Sequence, residues 1–437
     1  MADIVTRTGD RVMRAAASII DATVHDADPS TRALTARVAV AANSASELRD
    51  QSTAAALPTV ARPVLLEVIA DSHDFYRRRA ADSWVPAYLA ERRLADAVRT
   101  HQLGYAPKGW TTLTSHLQTL GYTDDYIEAA GMATRARNGH LVDRFRDRLT
   151  IPLRSEQGDL VGFTARISPR LADSGQGPKY LNSPTTAVFR KSDVLYLLSD
   201  HRSKIGDGHL PVLCEGPLDA IAIDLLAAQT GTLMVGIATS GTAFTTGQAD
   251  QINNAVSAQP VCIALDGDSA GRRAAETAWR QLTGNGPRDV TIADLPTDTD
   301  PASLLASDPE ALLAHLGAAR PAASVIAHWQ INAANLDGNI LRELTAFREL
   351  VPLANRMPSS QRATFIIGLA ERLRIDPAEA ASEVAEQAPD LLMDHVIDRC
   401  VALNSILRAA ESVADVPYPH RDDPHLVQVS AAAQAIK

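Results

Sequence analysis

Two acidic motifs, Cys214-Glu215-Gly216-Pro217-Leu218-Asp219 and Leu265-Asp266-Gly267-Asp268-Ser269-Ala270-Gly271, each follow directly on an apolar run. The runs, residues 211–214 and 261–265, are short and rich in Val, Leu and Ile, and each precedes an Ala-rich stretch of helical length. That alternation of buried strand and helix specifies a parallel α/β sheet. It also sets Glu215, Asp266 and Asp268 at strand carboxyl ends, the edge where open parallel sheets bind ligands. Carboxylates that converge there repel one another unless a cation is shared, and an all-oxygen ligand set suits Mg²⁺ or Mn²⁺. The pattern reads as a metal-dependent phosphoryl-transfer centre. Its plain rival is that Asp-Gly-Asp is turn chemistry and that an acid after a strand only caps the next helix. Two such motifs in order on matching elements weigh against the rival.

Further strands are expected at 232–237 and 290–293, with helices near 218–228, 247–257 and 270–282. Ser240-Gly241-Thr242 follows the second strand, and the acidic loop Asp298-Thr299-Asp300-Pro301 follows the last. Beyond Pro321 the chain reads as helical, with Phe365, Ile366, Leu369 and Leu373 at helical spacing. Residues 1–63 read as a small Ala-rich helical domain with seven Arg balanced by seven Asp and Glu. After Val416 the chain is polar and rich in Pro and His, the composition of a disordered tail.

Upstream of the sheet lie Asp143-Arg144-Phe145-Arg146-Asp147-Arg148, Gly158 to Arg166, Pro178-Lys179-Tyr180-Leu181-Asn182-Ser183-Pro184 and Phe189-Arg190-Lys191. Residues 85–210 hold seventeen Lys and Arg against thirteen Asp and Glu, in a chain of net charge -10. Cationic groups therefore concentrate ahead of the acidic sheet, as a polyanion-binding surface requires. On a strand, period-two alternation turns Arg144, Arg146 and Arg148 to one side, toward a shared anionic ligand. In the competing reading they form a solvated face paired with Asp143 and Asp147.

These strings, in this order, resemble the catalytic core of a DnaG-type bacterial primase, whose Glu-Gly and Asp-x-Asp motifs belong to the TOPRIM domain. The likeness begins near Phe75-Tyr76 and Tyr88-Leu89-Ala90-Glu91-Arg92, runs to Asp300-Pro301, and continues weakly to about Gln387. It implies an α/β fold: a TOPRIM-type parallel sheet with helices on both faces, preceded by an α+β basic subdomain and flanked by helical N- and C-terminal regions. The implied division is a helical domain 1–63, a basic subdomain 64–208, a TOPRIM domain 209–320, a helical bundle 321–387 and a C-terminal helix and tail 388–437. The resemblance further implies a primase, copying single-stranded DNA into short RNA primers from ribonucleoside triphosphates with Mg²⁺ or Mn²⁺. Glu215, Asp266 and Asp268 would be catalytic metal ligands supported by Asp219 and Asp300. Arg92, Arg144, Arg146, Arg166, Lys179, Tyr180, Asn182 and Lys191 would bind template, primer or triphosphate. A replicative helicase is a further implied partner, although the stretch from about 389 to 410 reads equally as a helix that only packs on the core.

Three departures from the family stand out. Bacterial primases usually begin with a zinc-binding module, but Cys214, Cys262 and Cys400 are isolated, so no zinc ribbon is expected. Arg93 stands where the family usually has glycine, which puts the loop around Arg92 in question. Ala302 occupies the second acidic place of the Asp-Pro-Asp that commonly follows the last strand, which puts one metal position in question. No apolar run approaches the roughly 20 residues of a membrane span, so a cytoplasmic protein is expected with no membrane partner. Two other readings share the carboxylates: a TOPRIM nuclease, and a catalytically weak accessory replication protein of a mobile element.

Overall fold

The computed structural model describes residues 60–384, except 174–176, 240, 242–243, 257–258, 335, 337, 377–378 and 381. The expectations for residues 1–59, for Ser240 and Thr242, and for the tail beyond 384 lie outside the described residues.

The chain opens with α1 (Arg62–Arg77), α2 (Val85–Ala90) and α3 (Ala97–Thr100), then β1 (Gly104–Ala106), α4 (Thr112–Thr119) and α5 (Asp124–Ala129). A ribbon of β2 (Ala133–Arg135) and β3 (Leu141–Asp143) leads to β4 (Arg148–Arg154), β5 (Leu160–Ile167), α6 (Pro169–Asp173), β6 (Tyr180–Asn182) and α7 (Arg202–Gly206). Strands β1, β4, β5 and β6 form a four-stranded antiparallel sheet in the order β1-β4-β5-β6. One face of it packs on α1, α4 and α5, where Tyr76 and Phe145 meet Phe163 edge-on at centroid distances of 5.6 and 6.1 Å.

The second sheet follows: β7 (Leu210–Cys214), α8 (Pro217–Thr230), β8 (Met234–Ala238), α9 (Thr246–Ala255), β9 (Val261–Ile263), α10 (Ser269–Leu282), β10 (Val290–Ile292), α11 (Pro301–Ser307), α12 (Pro309–Gly317) and β11 (Arg320–Pro321). Its order is β11-β10-β9-β7-β8, parallel except for the edge strand β11. The parallel strands fall within the ranges read from the sequence, apart from a one-residue extension at Leu210 and at Ala238. Both faces are covered, as a parallel sheet demands. Leu213, Ile237 and Ile263 point into one core with Ala249 of α9 and Trp279 of α10. Val212, Cys214 and Cys262 point into the other with Ile221 of α8, Leu305 of α11 and Leu312 of α12. Burying each such Leu or Ile is worth about 2–3 kcal/mol, so the two faces anchor the sheet. Helices α13 (Ala322–Ala334), α14 (Ile340–Leu350) and α15 (Ser359–Arg372) close the first core through Val325, Phe347 and Phe365. No helix among the described residues is long and apolar enough to cross a membrane.

The sheets are joined by polar bonds. Tyr196 and Ala238 form an isolated β-bridge. Asp224 of α8 accepts hydrogen bonds from His101 (3.0 Å) and His201 (2.7 Å) through one oxygen and from the Gly236 N–H (2.8 Å) through the other. Burial opposes ionisation of Asp224, but these bonds hold its pKa down at about 2.

Candidate active site

The acids stand where the chain leaves the parallel strands. Glu215 follows the last residue of β7, and the chain then enters α8 through Gly216 and Pro217. Asp266 and Asp268 follow β9, and Asp300 caps α11 after β10, accepting the Ser303 N–H at 2.6 Å. A Cβ on Gly267 would stand 1.9 Å from the Pro296 carbonyl oxygen, and one on Gly271 2.0 Å from that of Asp266. Those glycines let the Asp-Gly-Asp loop tuck against the neighbouring loop and against its own helix.

Glu215, Asp219, Asp266 and Asp300 line one cavity of about 460 Å³. Burial pushes Asp266 up to about 6, helped by the charges of Glu215, Asp300 and Asp268. Burial and Asp268 also raise Glu215, with Lys179 acting in opposition. Asp219 is raised well above the usual carboxylate range by burial and then by Asp300. Its oxygens accept the N–H groups of Gly216 (3.1 Å) and Ala302 (3.2 Å), so it ties the Glu215 loop to the Asp300 loop. Asp268 is exposed and outside the cavity lining; its Oδ1 accepts from Ala270 (2.8 Å) and Gly271 (2.7 Å) at the start of α10. The capping and metal readings of this motif therefore coexist: Asp268 caps its helix, while Asp266 faces the cavity. Among the described residues no three His, Cys, Asp or Glu side chains form a ready-made metal-ligating cluster. The acids instead surround a common space and raise one another's proton affinity, which is the signature of uncompensated negative charge. An all-oxygen donor set with surplus charge fits a hard divalent cation.

The opposite wall is cationic. Arg92, Arg166, Lys179, Tyr180, Asn182 and Lys191 line the same cavity, as the sequence implied, and Tyr88 and Ser303 join them. Arg166 on β5 lies opposite Tyr180 on β6. Lys191 donates to the Gly241 carbonyl at 3.1 Å. Three buried polar atoms of this lining, the Tyr88 hydroxyl, Arg166 Nε and Asn182 Oδ1, have no hydrogen-bond partner. These atoms keep spare hydrogen-bonding capacity beside the cavity, as do nine other buried polar atoms elsewhere among the described residues. Tyr88 was not among the residues expected from the sequence; its position one helical turn before Arg92 was the available signal.

Arg144, Arg146 and Arg148 do not share the face that alternation suggested. Asp147 has φ +50°, which ends the alternation before β4 begins. Arg148 is buried and donates to the carbonyls of Ala165 (3.1 Å) and Pro178 (3.1 Å). Arg144 donates to the Asn182 carbonyl at 3.0 Å, bracing β6. Arg146 donates to the Asp143 carbonyl and lies 4.4 Å over the Trp110 ring. Neither Arg144 nor Arg146 is part of the cavity lining. The competing pairing fails as well. Asp143 is taken by the N–H groups of Leu113 and Thr114 and by the Thr114 hydroxyl, at 2.7–2.9 Å. Asp147 accepts from Trp84 (3.0 Å), Tyr105 (2.9 Å) and Ser168 (3.0 Å), and its ion pair is with Arg170 at 3.6 Å. The loop at Arg93 keeps a glycine-like shape: φ is +57°, and the Leu94 N–H bonds the Leu89 carbonyl at 2.8 Å.

Known proteins match both halves of the described chain. The family of the DNA primase catalytic core, N-terminal domain, matches residues 75–202, and the Toprim-like family matches residues 212–305. DNA primase of Synechococcus elongatus is 31% identical over 338 residues, 74% of this chain and 47% of that protein. DNA primase of Listeria monocytogenes is 36% identical over 225 residues, 51% of this chain and 34% of that protein. The chain thus spans about half, or less, of the curated relatives it matches. The RNA polymerase domain of Mycobacterium tuberculosis primase DnaG, solved with a double-stranded DNA oligomer with a 6-nucleotide overhang, superposes with a TM-score of 0.61 at 30% identity. That match covers 72% of this chain and 98% of the solved domain. A DnaG primase catalytic domain bound to ssDNA superposes with a TM-score of 0.58 at 25% identity, covering 72% and 97%. With a Toprim sheet and the preceding catalytic-core domain both in place, the chain belongs to the DnaG-type primase family.

Proposed function

We propose that this protein is a primase, synthesising short RNA primers on single-stranded DNA from ribonucleoside triphosphates by metal-dependent nucleotidyl transfer. The observation that carries the reading is one cavity with an acidic wall from the Toprim loops and a cationic wall from β5, the segments flanking β6 and the turn after α2. A nuclease needs the first wall; a polymerase also has to hold a triphosphate and a template against it.

Glu215 and Asp266, with Asp268 and Asp300 beside them, are the residues that would hold Mg²⁺ or Mn²⁺. A divalent cation bound there supplies positive charge to the attacking 3′-hydroxyl and to the leaving pyrophosphate. Asp219 keeps the Glu215 and Asp300 loops together through its two backbone bonds. Arg92, Arg166 and Lys179 offer N–H donors to phosphate oxygens, and the unpartnered Asn182 Oδ1 offers an acceptor to a sugar hydroxyl or base edge.

The test is to incubate the protein with single-stranded DNA, labelled ribonucleotides and Mg²⁺ or Mn²⁺. Short labelled RNA is expected, abolished by Asp266→Asn. Shortened DNA would favour a nuclease, and no product with either metal would favour an accessory protein.

A further inference from the structure

Among the described residues lining the cavity, Tyr88 is the one whose ring meets two guanidinium groups. Its ring holds two guanidinium groups: the Arg92 carbon lies 3.9 Å from the centroid and the Arg166 carbon 4.7 Å. Arg166 also stands 5.8 Å from the Tyr180 centroid, so Arg92, Tyr88, Arg166 and Tyr180 form a connected column from α2 to β6. The Tyr88 side chain is 4% exposed, and its ring is held edge-on by Trp84 at 5.5 Å. Trp84 is in turn fixed by its hydrogen bond to Asp147. Arg92 is further tied to the Tyr88 carbonyl at 3.4 Å, with Glu91 as a distant ion partner at 3.9 Å.

An arginine in a binding cleft can be fixed in two ways. A carboxylate fixes it by occupying its N–H donors, whereas an aromatic face attracts the cation and leaves those donors at the rim open. Here the aromatic face dominates: Arg92 keeps one long backbone bond and one distant acid, and Arg166 Nε is buried without a hydrogen-bond partner beside the cavity. Bringing two like charges to one ring disfavours both unless an anion arrives between or beside them. Resting on the proposed function of this cleft, we propose that Tyr88 is a positioning residue: its π face presents Arg92 and Arg166 together as a preorganised clamp for the polyphosphate of an incoming nucleoside triphosphate. The Tyr88 hydroxyl is not required for that role.

A graded aromatic series at position 88 tests this at nearly constant shape. Phenylalanine and its mono-, di- and trifluorinated analogues are placed at position 88 of the full chain, and binding of ATP and of inorganic tripolyphosphate is titrated in the presence of Mg²⁺. Tyr88→Phe is expected to bind within about twofold of the parent. Each added fluorine then weakens binding progressively, to about tenfold by the trifluoro ring, equivalent to about 1.4 kcal/mol. ATP and tripolyphosphate shift in parallel, because the clamp reads phosphate. Melting temperatures across the series report folding independently, since a purely structural ring would not grade affinity with its quadrupole. Affinity independent of fluorination overturns the clamp alone. So does a Tyr88→Phe variant as weak as the trifluoro one, because the hydroxyl would then be the ligand. A parent protein that binds neither ATP nor tripolyphosphate overturns the clamp together with the reading of the cleft.

Discussion

The two walls of the cavity are built on opposite principles. The acidic wall consists of loops at the carboxyl ends of parallel strands, fixed by backbone N–H groups and helix starts, and burial together with its own charges raises its pKa values. The basic wall stands on an antiparallel sheet and a short helix, and two of its charges are held by aromatic faces rather than by acids. Each wall is electrostatically incomplete by itself. On the proposed function a metal-bound polyphosphate would satisfy both walls, Lys179 alone already offsetting part of the charge on Glu215 and Asp266.

The largest expected effect lies on the acidic side. Asp266→Asn or Glu215→Gln should reduce primer synthesis at least about a hundredfold with circular dichroism unchanged, because a lost ligand removes several kcal/mol of charge stabilisation. A folded Asp266→Asn protein that synthesises primers at the parent rate would dissolve the contrast between the walls.

Arginine substitutions on the basic side sharpen the comparison by separating ligand-binding from structural groups. Arg148→Met should lower stability by about 2–4 kcal/mol, since it leaves the buried carbonyls of Ala165 and Pro178 without their ionised donor. Arg166→Ala should leave stability nearly unchanged and weaken binding of single-stranded DNA or triphosphate, with the salt slope reduced by roughly one counterion. Thermal melts and salt titrations of the two variants check this together; equal losses of stability would mean that the basic wall is structural throughout.

A smaller effect follows from pH. The Asp266 pKa is raised in the folded protein from 3.8 to about 6, so its contribution to stability is fully present below the unfolded pKa and is lost as pH rises through about 6. The metal-free melting temperature should therefore fall across that window, and Asp266→Asn should flatten the slope. Mg²⁺ or Mn²⁺ should restore stability at the high-pH end. A metal-free protein that gains stability between those pH values would show that Asp266 is not held in a repulsive cluster.

The smallest expected change is at Arg93. Its left-handed backbone costs a residue bearing a Cβ about 1 kcal/mol, so Arg93→Gly should stabilise the protein by roughly that amount without altering the loop. Destabilisation on denaturant titration would show that the Arg93 side chain supports the loop.

The acidic wall was legible in the sequence because its determinants are local. A strand, an acid and a helix start follow within a few residues, and the glycines at 267 and 271 mark where backbones approach closely. Six of the eight residues read for the basic wall line the cavity, while Arg144 and Arg146 do not and the arrangement of the arginines was misread. Alternation cannot show that Asp147 takes a left-handed turn, and that turn sends Arg148 into the core instead of beside Arg144 and Arg146. Tyr88 was missed because its spacing to Arg92 was the one local signal, whereas its contacts with Arg166 of β5 cross between elements and leave no sequence pattern. The same holds for the bonds from His101 and His201 to Asp224, which unite segments more than twenty residues apart. The bracing role of Asp219 had a faint signal, an acid three residues after a helix-starting Gly-Pro, where it can reach back to the backbone.

The central claim is that loops after three separate strands make one metal-dependent centre facing the basic wall. Crystals soaked in Mn²⁺ and measured at the manganese absorption edge would test it most directly. Anomalous density is predicted in the cavity against the carboxylates of Glu215 and Asp266, and it should vanish in Asp266→Asn crystals. Manganese found only at surface acids away from this cavity, or retained there unchanged in the variant, would contradict the account.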